Sequence, residues 1–243
     1  MSNDKKTLKI ICYNDFMKTA LITGCGRGIG KALAERFLHE GYAVIGTAQT
    51  GKVDYSNDNL KIYKLDLTSH RSIEECATEI RESGAKIDVH INNSGTLEDE
   101  EETAVKIDKL RQTLEVNLIG TIDLTEHVIP LIVRGGHIVS ITSQAGSLTD
   151  MDNIEDSHEP YHYPAYKISK AALNMYTRTL AARLKHEGAN IIVSSVHPGW
   201  VRTDMGGKKA PITPEEAAGD IFKLATSHPE TGQFWYKGEK FVW

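Results

Sequence analysis

The chain has 243 residues, 40% of them apolar and 25% charged, with a formal net charge of −5. That length suffices for one sizeable α/β domain with a true core, and mild acidity argues against a nucleic-acid partner. No apolar run reaches the ~20 residues of a membrane span. The N-terminus lacks a secretory signal's apolar core and cleavage site. Cys12, Cys25 and Cys76 have neither paired nor metal-ligand spacing, so the expectation is a reducing, cytoplasmic setting and no metal.

Residues 1–17, "MSNDKKTLKIICYNDF" and Met17, form an N-terminal extension. It reads either as a variable tail or, through the strand-like "TLKIICY", as an extra edge strand. From Lys18 onward short apolar runs alternate with helical patterns. "KTALIT" is a strand; Ile29, Leu33, Phe37 and Leu38 then recur at helical spacing until a C-cap at Gly41. "YAVIGTA" and "LKIYKLDL" are the second and third strands. Ser72 to Ser83 is a helix with Ile73, Cys76, Ala77 and Ile80 inward and Gly84 closing it. "IDVHINNSG", "GGHIVSITS" and "NIIVSSVHP" are the next three strands.

The acidic run Glu98 to Glu102 predicts a solvated helix start, where negative charge suits the dipole. Thr213-Pro-Glu-Glu216 predicts a capping box with proline in the first turn, and "GQFWY" an edge strand near the end. Strand alternating with helix predicts a single α/β domain over residues 18–243, a doubly wound parallel sheet with helices on both faces.

The first strand runs into "TGCGRGIG", which places Gly24, Gly28 and Gly30 in the turn that opens the first helix. Glycines let the backbone approach a phosphate, and the helix start offers free N–H groups and positive potential. The position of the pattern, in the first βαβ unit, makes it a dinucleotide site rather than a mere tight turn. A carboxylate at the end of the second strand would bond the adenosine ribose and repel a 2′-phosphate. Here the stretch is "GTAQTGK", with Gln49 at the tip, no acid before Asp54 and Lys52 close by, while Arg27 adds a cation in the turn. This predicts NADP(H) over NAD(H).

In "YHYPAYKISK" two tyrosines have a lysine four residues later. Tyr163 precedes Pro164, which pushes it out of the α region, so its spacing to Lys167 predicts no facing pair. Tyr166 and Lys170 both lie within the helix, on a face that continues inward through Leu173, Leu180 and Leu184. The Lys167 stripe, with Asn174, Arg178 and Lys185, reads as a solvent face. A phenol titrates near ~10, and a neighbouring ammonium is expected to lower it into range for general acid–base work.

The ordered set "TGCGRGIG", "DLT" (66–68), "NNSG" (92–95), "VN" (116–117), "ITSQAG" (141–146), "YKISK" (166–170) and "HPGWVRT" (197–203) resembles the short-chain dehydrogenase/reductase family over residues 18–243. The tail, "HPGWVRTDMGG" with the closing "GQFWYKGEKFVW", is most similar to its C-factor and sniffer-type carbonyl reductase branch. The resemblance implies a Rossmann-like NAD(P)-binding fold, reduction of a ketone or aldehyde to an alcohol, and a homodimer or homotetramer.

It further implies a catalytic set. Tyr166 would protonate the carbonyl oxygen, and Lys170 would lower its pKa and hold the nicotinamide ribose. Ser143 would hydrogen-bond the substrate oxygen and Asn117 would anchor a water chain. For the cofactor the resemblance implies Thr23, Gly24, Arg27, Gly28, Ile29, Gly30, Gln49, Asp66, Leu67, Asn93, Ser94 and Gly95, together with Tyr166, Lys170, Pro198, Gly199, Val201 and Thr203. Asn92 is expected beside the adenosine ribose.

Ser143 and Tyr166 are farther apart in sequence than is usual for that family. The insertion, residues 148–163, carries Asp150, Asp152, Glu155, Asp156 and Glu159 without a lysine or arginine. It reads as a solvated loop or, more sharply, as a rim that disfavours anionic substrates. His90 reads as a core histidine, and His158, His162 and His197 receive no role. Two other functions are open to such a chain. A dinucleotide-binding sensor without turnover has no need of the Asn117, Ser143, Tyr166, Lys170 set. An extended epimerase would need a longer C-terminal region than follows Thr203.

Overall fold

The computed structural model describes residues 17–152 and 162–243. The N-terminal extension up to residue 16, read above as a tail or an edge strand, and most of the acidic insertion lie outside them.

Eight strands form one sheet in the order β3-β2-β1-β4-β5-β6-β7-β8. They are β1 (Thr19–Ile22), β2 (Ala43–Ala48), β3 (Leu60–Lys64), β4 (Ile87–Asn92), β5 (Ile132–Ile141), β6 (Ile192–Val196), β7 (Gln233–Tyr236) and β8 (Glu239–Lys240). All pairings are parallel except β7 with β8. The doubly wound sheet predicted above is therefore present. The order reverses between β1 and β4, which opens a crevice at the carboxyl ends of those two strands.

The helices are α1 (Gly28–His39), α2 (His70–Glu82), α3 (Ile107–Leu114), α4 (Thr121–Val128), α5 (Pro164–His186) and α6 (Pro214–Ala225). A π-helical turn, Glu115–Gly120, joins α3 to α4. Strand side chains alternate between faces. Ala20 and Ile22 pack under α1 and α6 with Leu33, Phe37, Ile221 and Leu224. Leu21 and Ile45 pack under α2, α4 and α5 with Ile73, Leu124, Leu180 and Leu184.

Several boundaries differ from the sequence reading. The α2 helix starts two residues early because the Ser69 side chain accepts the Ser72 N–H at 3.3 Å. Strand β5 begins at Ile132, where it pairs with Ile87 ahead of an irregularity in register. The run 98–102 is no helix start: α3 begins at Ile107, and Asp99 is buried against another element. "GQFWY" is not an edge strand, because β8 covers its outer side. Gly41 and Gly84 end α1 and α2 with φ of 82° and 74°. The capping box is present, with Thr213 Oγ1 accepting Glu216 N–H at 3.2 Å and the Glu216 carboxylate accepting Thr213 N–H at 2.8 Å. Among the described residues no helix is long and apolar enough to cross a membrane.

Candidate active site

The glycine turn sits at the crevice. Gly24 and Gly28 have φ of 68° and 53°, a region that favours glycine. A Cβ on Gly30 would lie 2.1 Å from the Gly24 carbonyl oxygen and 2.5 Å from Asn93 Nδ2. The first turn of α1 receives no side-chain cap from Arg27, so its N–H groups point into the crevice for an anion. These glycines and uncapped N–H groups fit the pyrophosphate of a dinucleotide.

The "NNSG" segment clamps this turn. Asn93 and Ser94 donate their N–H groups to Thr23 Oγ1 at 2.9 and 3.0 Å, and Asn93 Nδ2 donates to the Thr23 carbonyl at 2.8 Å. Asn92, expected beside the adenosine ribose, faces away from this turn. Its amide is buried beneath the sheet, donating to Thr125 Oγ1 at 3.0 Å, because strand alternation turns it away from Asn93.

At the tip of β2, Gln49 is exposed. Asp66 accepts from the Thr68 N–H at 3.0 Å and from its hydroxyl at 2.7 Å, and these bonds hold its carboxyl below the usual range. The Leu67 side chain belongs to the core. The Arg27 guanidinium, in the turn, pairs with Asp204 at 2.6 Å, both side chains largely exposed. Lys31, missed in the sequence reading, pairs with Asp54 at 2.9 Å and lies over the Tyr55 ring. The loop after β6 reaches the turn, where the Thr203 side chain lies 3.2 Å from the point a Cβ on Gly28 would take. Val201 is buried in the same loop, Gly199 lies against Ile212 and Tyr236, and Pro198 lies by Tyr236.

Ser143 follows the end of β5, before the short turn at Gln144–Gly146, and Tyr166 lies in the first turn of α5. The Ser143 hydroxyl faces the Tyr166 phenol and favours its ionised form, and Ser143 Oγ accepts the Ala145 N–H at 3.1 Å. Lys170 Nζ is 5.5 Å from the Tyr166 ring centroid and donates to the Ile141 carbonyl at 3.0 Å. Two contacts set the distance from β5 to α5. A Cβ on Gly146 would lie 2.6 Å from the Lys170 carbonyl carbon, and Asn174 Nδ2 donates to the Gly146 carbonyl at 3.2 Å. Asn174 is thus buried, not on a solvent face as its stripe suggested.

Asn117 sits on the π-helical turn, a feature frequent at functional sites. Its Oδ1 accepts the Thr96 N–H at 2.7 Å, while Nδ2 donates to the Thr96 carbonyl at 2.9 Å and to Ser169 Oγ at 3.1 Å. A Cβ on Gly95 would lie 3.3 Å from Asn117 Oδ1 and 3.6 Å from Lys170 Nζ. The glycine therefore lets Asn117 and Lys170 face one small space. All four predicted catalytic residues converge within this region.

The pKa pattern departs from the sequence reading. Tyr166 keeps some surface open, yet enclosure by protein pushes its phenol up to about 12, against the Ser143 hydrogen bond. Burial pulls Lys170 down to about 8. Desolvation penalises both charged forms and outweighs the attraction expected between them. Tyr163, at φ 47°, is outside the helix as predicted, but Lys167 Nζ still lies 4.6 Å from its ring centroid. His90 is fully buried in β4 and His197 stacks on Tyr236 at 4.7 Å. Burial lowers both to about 4, so both are neutral.

This arrangement has relatives. The short chain dehydrogenase family profile matches residues 18–212, and the chain belongs to that family of oxidoreductases. Within it the chain stands in the carbonyl reductase branch. It is 30% identical over 233 residues to 1-hydroxy-2-glutathionyl-2-methyl-3-butene dehydrogenase of Rhodococcus sp., covering 93% of this chain and 99% of that protein. The NADPH-bound carbonyl reductase from chicken fatty liver superposes with a TM-score of 0.83 at 26% identity, covering 93% and 94% of the two chains. Carbonyl reductase Sniffer of D. melanogaster superposes with a TM-score of 0.79 at 26% identity, covering 93% of this chain and all of the other.

Proposed function

We propose that this protein is an NADP(H)-dependent oxidoreductase that reversibly reduces a ketone or aldehyde to the alcohol, with Tyr166 as general acid and base. The observation that carries the reading is the placing of Lys170 one turn on from Tyr166, its Nζ 5.5 Å from the Tyr166 ring centroid, with Ser143 beside the phenol at the glycine turn. A bound nicotinamide dinucleotide supplies the hydride to the carbonyl carbon.

The chain's own groups do the rest. Ser143, held by the Ala145 N–H, orients the substrate oxygen. Tyr166, with its pKa near 12, is protonated at neutral pH and gives its proton to that oxygen as negative charge develops. Lys170, near 8, is mostly cationic at pH 7 and stabilises the phenolate left behind. Asn117, facing Lys170 across Gly95, anchors the water that returns the proton.

Preference for NADP(H) is supported by the NADPH in the chicken relative and by the lack of a carboxylate at the tip of β2. Arg27 is available to a 2′-phosphate because an exposed ion pair such as Arg27–Asp204 exchanges at little cost.

The test is fluorescence titration with NADPH and NADH, alongside a carbonyl panel, on wild type and Tyr166→Phe. NADPH binds about tenfold or more tighter than NADH, the weight of one charge-assisted contact. Tyr166→Phe binds NADPH as wild type does and loses about 10²- to 10⁴-fold in turnover. A Tyr166→Phe protein with wild-type turnover refutes the assignment of the proton donor.

A further inference from the structure

One carboxylate of the acidic run is not solvated. Asp99 is 1% exposed, and its two oxygens accept the backbone N–H groups of Ala165 at 2.6 Å and Tyr166 at 3.3 Å. These are the second and third residues of α5, whose boundary residue Tyr163 supplies no side-chain cap. The first N–H groups of a helix have no partner within it, and a carboxylate there also meets the positive end of the dipole. The cap of α5 therefore comes from a residue 66 positions away.

The segment bearing Asp99 is anchored on both sides. Thr96 is held through both backbone groups by the Asn117 amide, and the Glu102 carbonyl accepts the Tyr163 N–H at 2.9 Å. Tyr166 is gripped a second time, since its carbonyl accepts the Ser169 hydroxyl at 2.7 Å and Ser169 Oγ accepts from Asn117 Nδ2. The N–H and the C=O of Tyr166 thus lead, by two short routes, to the same asparagine.

We infer that Asp99 is a positioning residue for proton transfer, setting the first turn of α5 so that the Tyr166 phenol meets Ser143. The inference rests on the reading of Tyr166 as proton donor. Farther along α5, Lys170 and Asn174 are fixed to the Ser143 turn by the Gly146 contacts. Tyr166 lies before that fixation, in a turn whose N–H groups have Asp99 as acceptor. Without the carboxylate the buried Ala165 N–H and the half-buried Tyr166 N–H lose their bonds and the turn loosens.

The experiment measures kcat and KM with NADPH and a ketone that wild type reduces, for Asp99→Ala and Asp99→Asn, each alone and with Tyr166→Phe. Asp99→Ala lowers kcat about 100-fold, as a displacement near 1 Å does, with KM for NADPH within about threefold. Asp99→Asn keeps one acceptor oxygen and loses only about three- to tenfold in kcat. With Tyr166→Phe, Asp99→Ala costs less than about twofold further, because the group it positions is gone.

The inference is overturned if Asp99→Ala keeps kcat within about threefold of wild type while Tyr166→Phe is impaired, or if it costs the same factor in both backgrounds. If Asp99→Ala does not fold, Asp99→Asn carries the test, and a wild-type kcat in that variant overturns it. Wild-type turnover by Tyr166→Phe would overturn the proton-donor reading itself, and the inference with it.

Discussion

Lys170→Met should make the apoprotein more stable near neutral pH while removing its activity. Lys170 is 4% exposed, and burial takes its pKa from 10.5 to about 8. A group with a depressed folded pKa contributes stability that is present above its unfolded value and lost as pH falls through its folded value. For Lys170 the loss runs from pH 10.5 down to about 8 and is complete at pH 7. At roughly 1.4 kcal/mol per pH unit, the buried ammonium costs about 3 kcal/mol there.

Methionine keeps the stem's volume and drops the charge, but it leaves the Ile141 carbonyl without its donor, which costs about 1 kcal/mol. The net gain is about 2 kcal/mol at pH 7, shrinking to nothing or slightly reversing by pH 10.5. The assay is urea unfolding of both apoproteins at pH 7, 9 and 10.5, compared at equal m-values. Tyr166, raised to about 12, works in the opposite sense, since its contribution is lost as pH rises from 10 to 12. It is common to both proteins and cancels in their difference below pH 10. A variant no more stable than wild type at pH 7, or a difference that does not change with pH, would show that Lys170 is solvated in solution and would refute the argument.

Gly30→Ala forces a Cβ against the Gly24 carbonyl and the Asn93 amide; NADPH affinity should drop about 100-fold or more by fluorescence titration, with about 1–3 kcal/mol lost in thermal unfolding. Thr213→Ala removes the acceptor for the Glu216 N–H at the start of α6; stability should fall by about 1 kcal/mol in urea with kcat unchanged, because α6 packs on the sheet face opposite α5.

The sheet was legible because strands buried on both faces read as continuous apolar runs. Thr19–Ile22 and Ala43–Ala48 are buried almost throughout. The β8 strand was not legible, since two exposed residues carry no pattern. Its only local signal is the Lys237-Gly238 turn, where φ is 49° and 83°, the doubly positive geometry of a tight hairpin. Tyr166 and Lys170 came from helical spacing and Ser143 from the family resemblance. Asn117 came from resemblance alone. Asp99 was misread because its partners lie 66 residues away and the run around it looked uniformly solvated.

The sign of the tyrosine's shift was beyond spacing rules for a deeper reason. Four-residue spacing says that a phenol and an ammonium meet; it says nothing of how much water surrounds them. In water their attraction would favour the ion pair, and in this site the loss of water outweighs it, leaving the phenol protonated and the lysine, lowered to about 8, a less stable cation. That balance suits a proton donor. A phenol held protonated gives up its proton only as negative charge develops on an oxygen beside it, and Ser143 sets the place where such an oxygen fits. The stability lost by burying Lys170 without a carboxylate is therefore coupled to chemistry, and a substitution that recovers one should abolish the other.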